Sequence, residues 1–173
     1  MTAIGRPDPS EHAAYFGRYI ALVPEGDLLE TLEQQTEDTL ELLDSLTEEQ
    51  GDLRYEPGKW SVGQVVGHMA DTERAFAFRA LWVARGSTEE QPGFDENVWA
   101  SLAGHDERAL ADLVEEFAAV REATLVFART ITPEMAVRQS VINGHQTSVR
   151  AMVHILAGHE RHHLAILRER YLG

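Results

Sequence analysis

Apolar residues recur at steps of three and four in four long segments of this chain, and no segment shows convincing strand alternation. The first segment opens after Pro24 and Gly26. Asp27 is placed to cap it, with Glu30 three residues on, and Leu29, Leu32, Thr36, Leu40 and Leu43 form its stripe. A short helical turn is expected from Thr47, where Thr47-x-x-Gln50 has the form of a capping box. The second segment follows the Pro57-Gly58 turn. Ser61 caps it, Gln64 completes the box, and Trp60 and Val65 have the spacing of a hydrophobic staple. Val62, Val65, Met69, Phe76 and Ala80 mark its buried side, and Gly86 stops it. The third is expected from about Asp106 to Arg129 along Leu110, Leu113, Phe117, Val120, Thr124 and Phe127. The fourth starts near Thr147 or Ser148 and runs almost to Gly173. Residues 10–22 are expected to add a short N-terminal helix with Tyr15, Phe16 and Tyr19 on its apolar face.

Residues 86–105 and 130–146 read as long connections with little periodicity. Antiparallel neighbours in a bundle need only about 2–8 residues between them, so at least one connection crosses the bundle. The pattern predicts an all-α fold: a four-helix bundle with long crossover connections, in one domain spanning residues 1–173.

Composition narrows the function classes. The formal net charge is -14 with no basic stripe, which disfavours nucleic acid as a partner. No run of about eighteen apolar residues is present, so no membrane span is expected. The stretch Met1 to Pro9 lacks the basic and apolar regions of a secretory signal. The chain has no Cys, which excludes disulfides, thiolate zinc sites and a Cys nucleophile, and fits a cytoplasmic protein.

Candidate chemistry concentrates in His159-Glu160-Arg161-His162-His163. On the fourth helix the core stripe runs Val149, Met152, Leu156, His159, His163, Ile166, Arg170, so two imidazoles one turn apart interrupt an apolar face. Burying them costs free energy unless their nitrogens find partners, and neutral imidazoles at i and i+4 can reach one metal ion. His68, beside the buried stripe of the second helix, is the best source of a third ligand. Asp71 has two readings: an acceptor for a ligand imidazole, or a surface acid paired with Arg74. His162 and His154 lie off the stripe, and His12, His105 and His145 fall in loop or terminal contexts. All five read as ordinary surface residues, although His145 is placed to line a pocket mouth.

Three metal templates overlap in the stretch. His-Glu-x-x-His suggests a zinc peptidase with Glu160 as general base, but the downstream positions for Gly and His hold Ile166 and Glu169. Glu160-x-x-His163 suggests a di-iron carboxylate bundle, but the chain has no second Glu-x-x-His. One divalent ion on His68, His159 and His163 remains. Zinc is the default for a nitrogen-rich site, and nickel, iron and manganese are also compatible.

In Gly58-Lys59-Trp60-Ser61, His68-x-x-Asp71-x-Glu73 and His159-Glu160-x-x-His163-x-x-x-Leu167 the chain resembles the DinB/YfiT-like superfamily of metal-binding four-helix bundles. The resemblance covers nearly the whole chain. It implies a single divalent metal on His68, His159 and His163, positions open to water or substrate, and a homodimer. It also implies a thiol S-transferase that joins a low-molecular-weight thiol, such as bacillithiol or mycothiol, to an electrophile. Alternatives are a hydrolase using metal-bound hydroxide, with Glu160 or Asp71 as base, and a non-catalytic metal-binding stress protein. A small-molecule substrate would be selected by the long loops and by side chains such as Trp82, Phe94, Trp99 and His145.

Overall fold

The computed structural model describes residues 4–173. Residues 1–3, part of the stretch read for a secretory signal, lie outside the described residues. Two 3-10 turns, Pro9–Glu11 and Ala14–Phe16, lead into the short helix α1 (Gly17–Ile20). The continuous N-terminal helix expected over 10–22 is thus broken. Asp8 instead caps the first turn with a capping box closed by Glu11.

The four long helices are α2 (Leu28–Asp44), α4 (Val62–Ala84), α6 (Leu110–Ala128) and α8 (Val149–Ile166). Short helices α3 (Glu48–Gly51), α5 (Glu96–Leu102) and α7 (Pro133–Ala136) lie in the connections. The caps at Asp27, Thr47 and Ser61 form as the sequence predicts, the last two as full capping boxes with Gln50 and Gln64. Gly86 takes a positive φ just beyond α4. Two boundaries differ. Helix α6 starts four residues later than expected, because Asp106 accepts from Ser61 Oγ at 2.6 Å and from Arg54 at 2.7 Å. Ala109 offers no side-chain cap, and Glu48 of α3 accepts from the free amides of Leu110 and Ala111. Helix α8 gives way to a π-turn over Leu167–Tyr171.

The largest departure is a β-hairpin that fills the end of the expected 130–146 loop and runs two residues past it. Strands β1 (Gln139–Ile142) and β2 (His145–Ser148) pair antiparallel, with Ile142 opposite His145. Asn143 and Gly144 both have positive φ, as a two-residue primed turn requires. Gln91 bonds to Val141 and Asn143, which fastens the 86–95 segment to the hairpin.

Helix α4 packs on α8 and α6, and α2 packs on α6 and, less extensively, α8. The helices therefore run around the bundle in the order α2, α6, α4, α8. The links from α2 to α4 and from α6 to α8 each cross the diagonal, which accounts for the long connections. One apolar cluster, around Leu32, Phe76, Ile131, Met152 and Ile155, joins α1, α2, α4 and α8; a second, around Leu43, Val62, Val66, Leu113 and Phe117, fills the α2–α4–α6 end. Among the described residues no helix is long and apolar enough to cross a membrane.

Candidate metal centre

Helix α8 is buried on every side from Ala151 to Glu160, because α1, α2 and α4 surround it. Gly158 permits this: a Cβ there would lie 2.0 Å from the Tyr19 carbonyl oxygen. The α1 backbone can thus lie directly on α8, one residue before His159. Tyr19 then places its ring edge-on to His159 and His162, at centroid distances of 5.5 and 5.3 Å.

His68 of α4 meets His159 and His163 of α8 where these helices face each other. His159 Nε2 lies 3.0 Å from His68 Nε2 and 3.1 Å from His163 Nε2. All three candidate ligand atoms fall within 4.8 Å of one another. Thr72 Oγ1 sits 3.4 Å from His68 Nδ1, and the Trp60 ring lies against the same imidazole at 4.7 Å. Burial, then repulsion from His105, holds the pKa of His68 down to about 4; burial, with repulsion from neighbouring imidazoles including His68, drives His159 and His163 well below the ordinary imidazole value.

These three rings are therefore neutral near pH 7, the protonation state a metal requires. One ring nitrogen carries either a proton or a lone pair, so His159 Nε2 cannot make good hydrogen bonds to both neighbours. A cation at their focus would accept all three lone pairs. Tetrahedral zinc with Zn–N of about 2.0–2.1 Å would hold its nitrogens roughly 3.3 Å apart, close to the 3.0 and 3.1 Å that separate His159 Nε2 from its two neighbours. The donor set fits a nitrogen-ligated divalent ion.

The triad opens into a cavity of about 560 Å3, lined among others by Tyr19, Trp60, Phe76, Arg79, Phe94, His145 and His162. Of the side chains read as selectors, Phe94 and His145 reach this cavity. Trp82 packs against the core, and Trp99 stacks on Phe94 at 4.1 Å from outside.

Neither carboxylate considered as a base takes that place. Asp71 bonds to His105 Nε2 at 3.1 Å and approaches Arg74 at 3.6 Å, and does not bond to a triad imidazole. The surface-acid reading had one partner right and missed the other. Glu160 points to the opposite side of α8. It is 2 % exposed, lies 2.6 Å from Arg121 Nη2, and accepts from Thr39 at 2.6 Å and from Gln35. Arg121 also forms a two-pronged pair with Glu73, at 2.8 and 2.6 Å. Burial opposes charge on Arg121, and the two carboxylates more than offset it, raising its pKa. Burial pushes the Glu160 carboxyl up, against the pull of Arg121.

Three surface assignments for histidine need correction. His154 is buried, with Nδ1 on the Arg150 carbonyl. His105 is buried between Asp71 and the glycine at position 67. His162 is half-buried and lines the cavity, so it shares the triad's solvent space.

Comparison with known proteins places these features in a family. The model of the DinB superfamily matches residues 31–167. "Putative metal-dependent hydrolase OB0413" of Oceanobacillus iheyensis is 28% identical over 142 residues, covering 81% of each chain. A "Putative metal-dependent hydrolase" of Geobacillus thermodenitrificans is 37% identical over 105 residues, which are 53% of this chain and 56% of the relative. Among solved structures, YfiT from Bacillus subtilis superposes with a TM-score of 0.67 at 20% identity, over 94% of this chain and 89% of that one. It is described as "a probable metal-dependent hydrolase with an unusual four-helix bundle topology", and the likeness is one of fold. The family match spans most of the chain and takes in His68, His159 and His163, so this protein belongs to the DinB superfamily.

Proposed function

We propose that the protein is a divalent-metal-dependent enzyme acting on a small molecule, and that its reaction transfers a low-molecular-weight thiol to an electrophile. The observation that carries the reading is the convergence of three neutral imidazole nitrogens on the wall of an open cavity. His68, His159 and His163 would hold the ion, with zinc favoured by the all-nitrogen donor set. When bound, the ion would supply a positive charge that lowers the pKa of a thiol or water beside it.

The chain's own residues favour a thiol as the nucleophile. Glu160 and Asp71 are committed elsewhere, and among the described residues the carboxylate lining the cavity is the exposed Glu96. A free thiol, with a pKa of about 8.5, needs little help to ionise, whereas water at about 15.7 benefits from a well-placed base. With no Cys in the chain, the sulfur would come from a co-substrate. Tyr19 stays protonated, since burial and Tyr15 push its pKa up to about 12, so its hydroxyl can donate to a developing negative charge. Arg18 donates to that hydroxyl at 2.8 Å and fixes its position.

Hydrolysis is the second reading, supported by the names of the two curated relatives. There His162 is the candidate proton acceptor: burial, then Arg18, lowers its pKa, and it faces the cavity.

The test is to incubate metal-loaded protein with an electrophile and bacillithiol, mycothiol or glutathione in turn. Conjugation with at least one thiol, abolished by chelation, is expected. No conjugation with any of the three, together with chelator-sensitive cleavage of esters, amides or lactones without added thiol, would replace thiol transfer by hydrolysis.

A further inference from the structure

Helix α4 sends four residues into the cavity at steps of four, four and three: His68, Thr72, Phe76 and Arg79. Eleven residues return almost to the same helix face, on the order of 16 Å along the axis from His68. Arg79 thus ends a line that begins at the metal triad. It is 8 % exposed, and its guanidinium lies 5.2 Å from the centroids of both the Phe76 and Phe94 rings. Nη2 donates to the Pro92 carbonyl. Among the described residues, Arg79 makes no ion pair and no other side-chain hydrogen bond.

Acids are not scarce, since the chain has 29 Asp and Glu against 15 Lys and Arg. The other buried arginine, Arg121, has two carboxylates, and the part-buried Arg150 has Glu11. A buried cation without a counter-ion is costly. The remaining nitrogens of Arg79 are not sealed from solvent, and Arg79 lines the cavity.

We propose that Arg79 is an anion-binding residue of this cavity, and that the substrate is an elongated molecule bearing a carboxylate. The carboxylate pairs with the Arg79 guanidinium, an apolar middle lies along Phe76 and Phe94, and the reacting end reaches the triad. The position of the reacting end rests on the metal-site reading given above; the Arg79 pairing does not. A guanidinium suits a carboxylate because its planar donors can bind both oxygens.

The probes are ω-mercaptoalkanoates of increasing chain length and the matched ω-mercaptoalkanamides, titrated calorimetrically into full-length, zinc-loaded protein. The wild type is expected to bind the carboxylate at least about tenfold more tightly than the amide. Arg79→Met should abolish that preference while amide affinity and zinc content stay unchanged, and Arg79→Lys should restore part of it. The proposal is overturned if the wild type shows no preference, if Arg79→Met retains it, or if Arg18→Met removes it instead. It is also overturned if Arg79→Met melts lower and loses amide binding too, which would make Arg79 an anchor for Pro92. Should Arg79→Met not fold, Arg79→Lys and Arg79→Gln make the same comparison. If the protein takes up no metal, simple alkanoates against alkanamides still test Arg79, so failure of the metal reading is seen separately.

Discussion

Two polar clusters lie on opposite sides of helix α8, and adjacent residues, His159 and Glu160, feed one each. The Glu160 side is closed. Glu73 and Glu160 flank Arg121, Thr39 and Gln35 complete the shell, and the arginine is fully buried. The His159 side is open. Its nitrogens crowd one another without enough protons or acceptors to satisfy them, and they face a cavity. A network whose charges neutralise one another holds the fold, although Gln35 Oε1 within it has no partner, whereas one left unsatisfied at a cavity wall is built for something that arrives later.

The largest expected effect tests the open side. His159→Ala should reduce bound divalent metal, measured by elemental analysis, from stoichiometric to near background. His162→Ala should leave it unchanged. Equal loss in both variants would erase the distinction between the triad and its neighbour.

Arg121→Met tests the closed side. Removing one partner strands two buried carboxylates, and such changes cost about 3–5 kcal/mol. Urea unfolding should show a loss of that size. Metal content should survive below the unfolding transition, because Arg121 does not touch the triad. A loss under 1 kcal/mol would mean that this cluster contributes little to the fold.

The sequence made one side of this comparison far more legible than the other. His159 and His163 were readable because histidines on a core stripe conflict with their surroundings, His68 less directly because it lies beside a stripe, and the caps at Asp27, Thr47 and Ser61 were readable because capping is local chemistry. Arg121 sent the same kind of signal, beside Val120 on the stripe of α6, but its meaning depended on Glu73 and Glu160, which are 48 and 39 residues away. His154 was misplaced because a stripe presumes a solvent face, and α8 has none through this region. His105 lies outside the long helices, where periodicity says nothing about burial. The hairpin was visible in principle: Val141-Ile142 before Asn143-Gly144 is a strong turn signal, obscured by its polar surroundings.

His154 gives a pH test of burial without a metal role. Burial lowers its pKa to about 4, with the Arg150 carbonyl pulling upward against it. Between that value and the unfolded value near 6.5, the unfolded chain binds the extra proton, so stability is full above 6.5 and falls as pH drops towards 4. The loss from this group is on the order of 3 kcal/mol. In metal-free protein, where His68, His159, His162 and His163 titrate in the same direction, His154→Gln should make the stability profile between pH 6.5 and 4 shallower. An unchanged slope would show that His154 is not buried in the neutral form.

The smallest effect concerns the join between fold and site. Thr72 Oγ1 lies 3.4 Å from His68 Nδ1, longer than a strong hydrogen bond, and it is the contact through which α4 steers a candidate ligand. Groups that orient metal-bound histidines are commonly worth 10–100-fold in affinity, and a contact this long belongs at the lower end. Thr72→Val keeps the branched shape and removes the hydroxyl. It should weaken zinc binding by about tenfold in a competition assay with a chelator, while leaving the urea midpoint of metal-free protein within about 0.5 kcal/mol of wild type. A variant with wild-type affinity would mean that packing between α4 and α8 alone sets the His68 ring. A variant that loses stability but keeps its affinity would place Thr72 among the residues that hold the bundle, and the open side of α8 would begin at His68 itself.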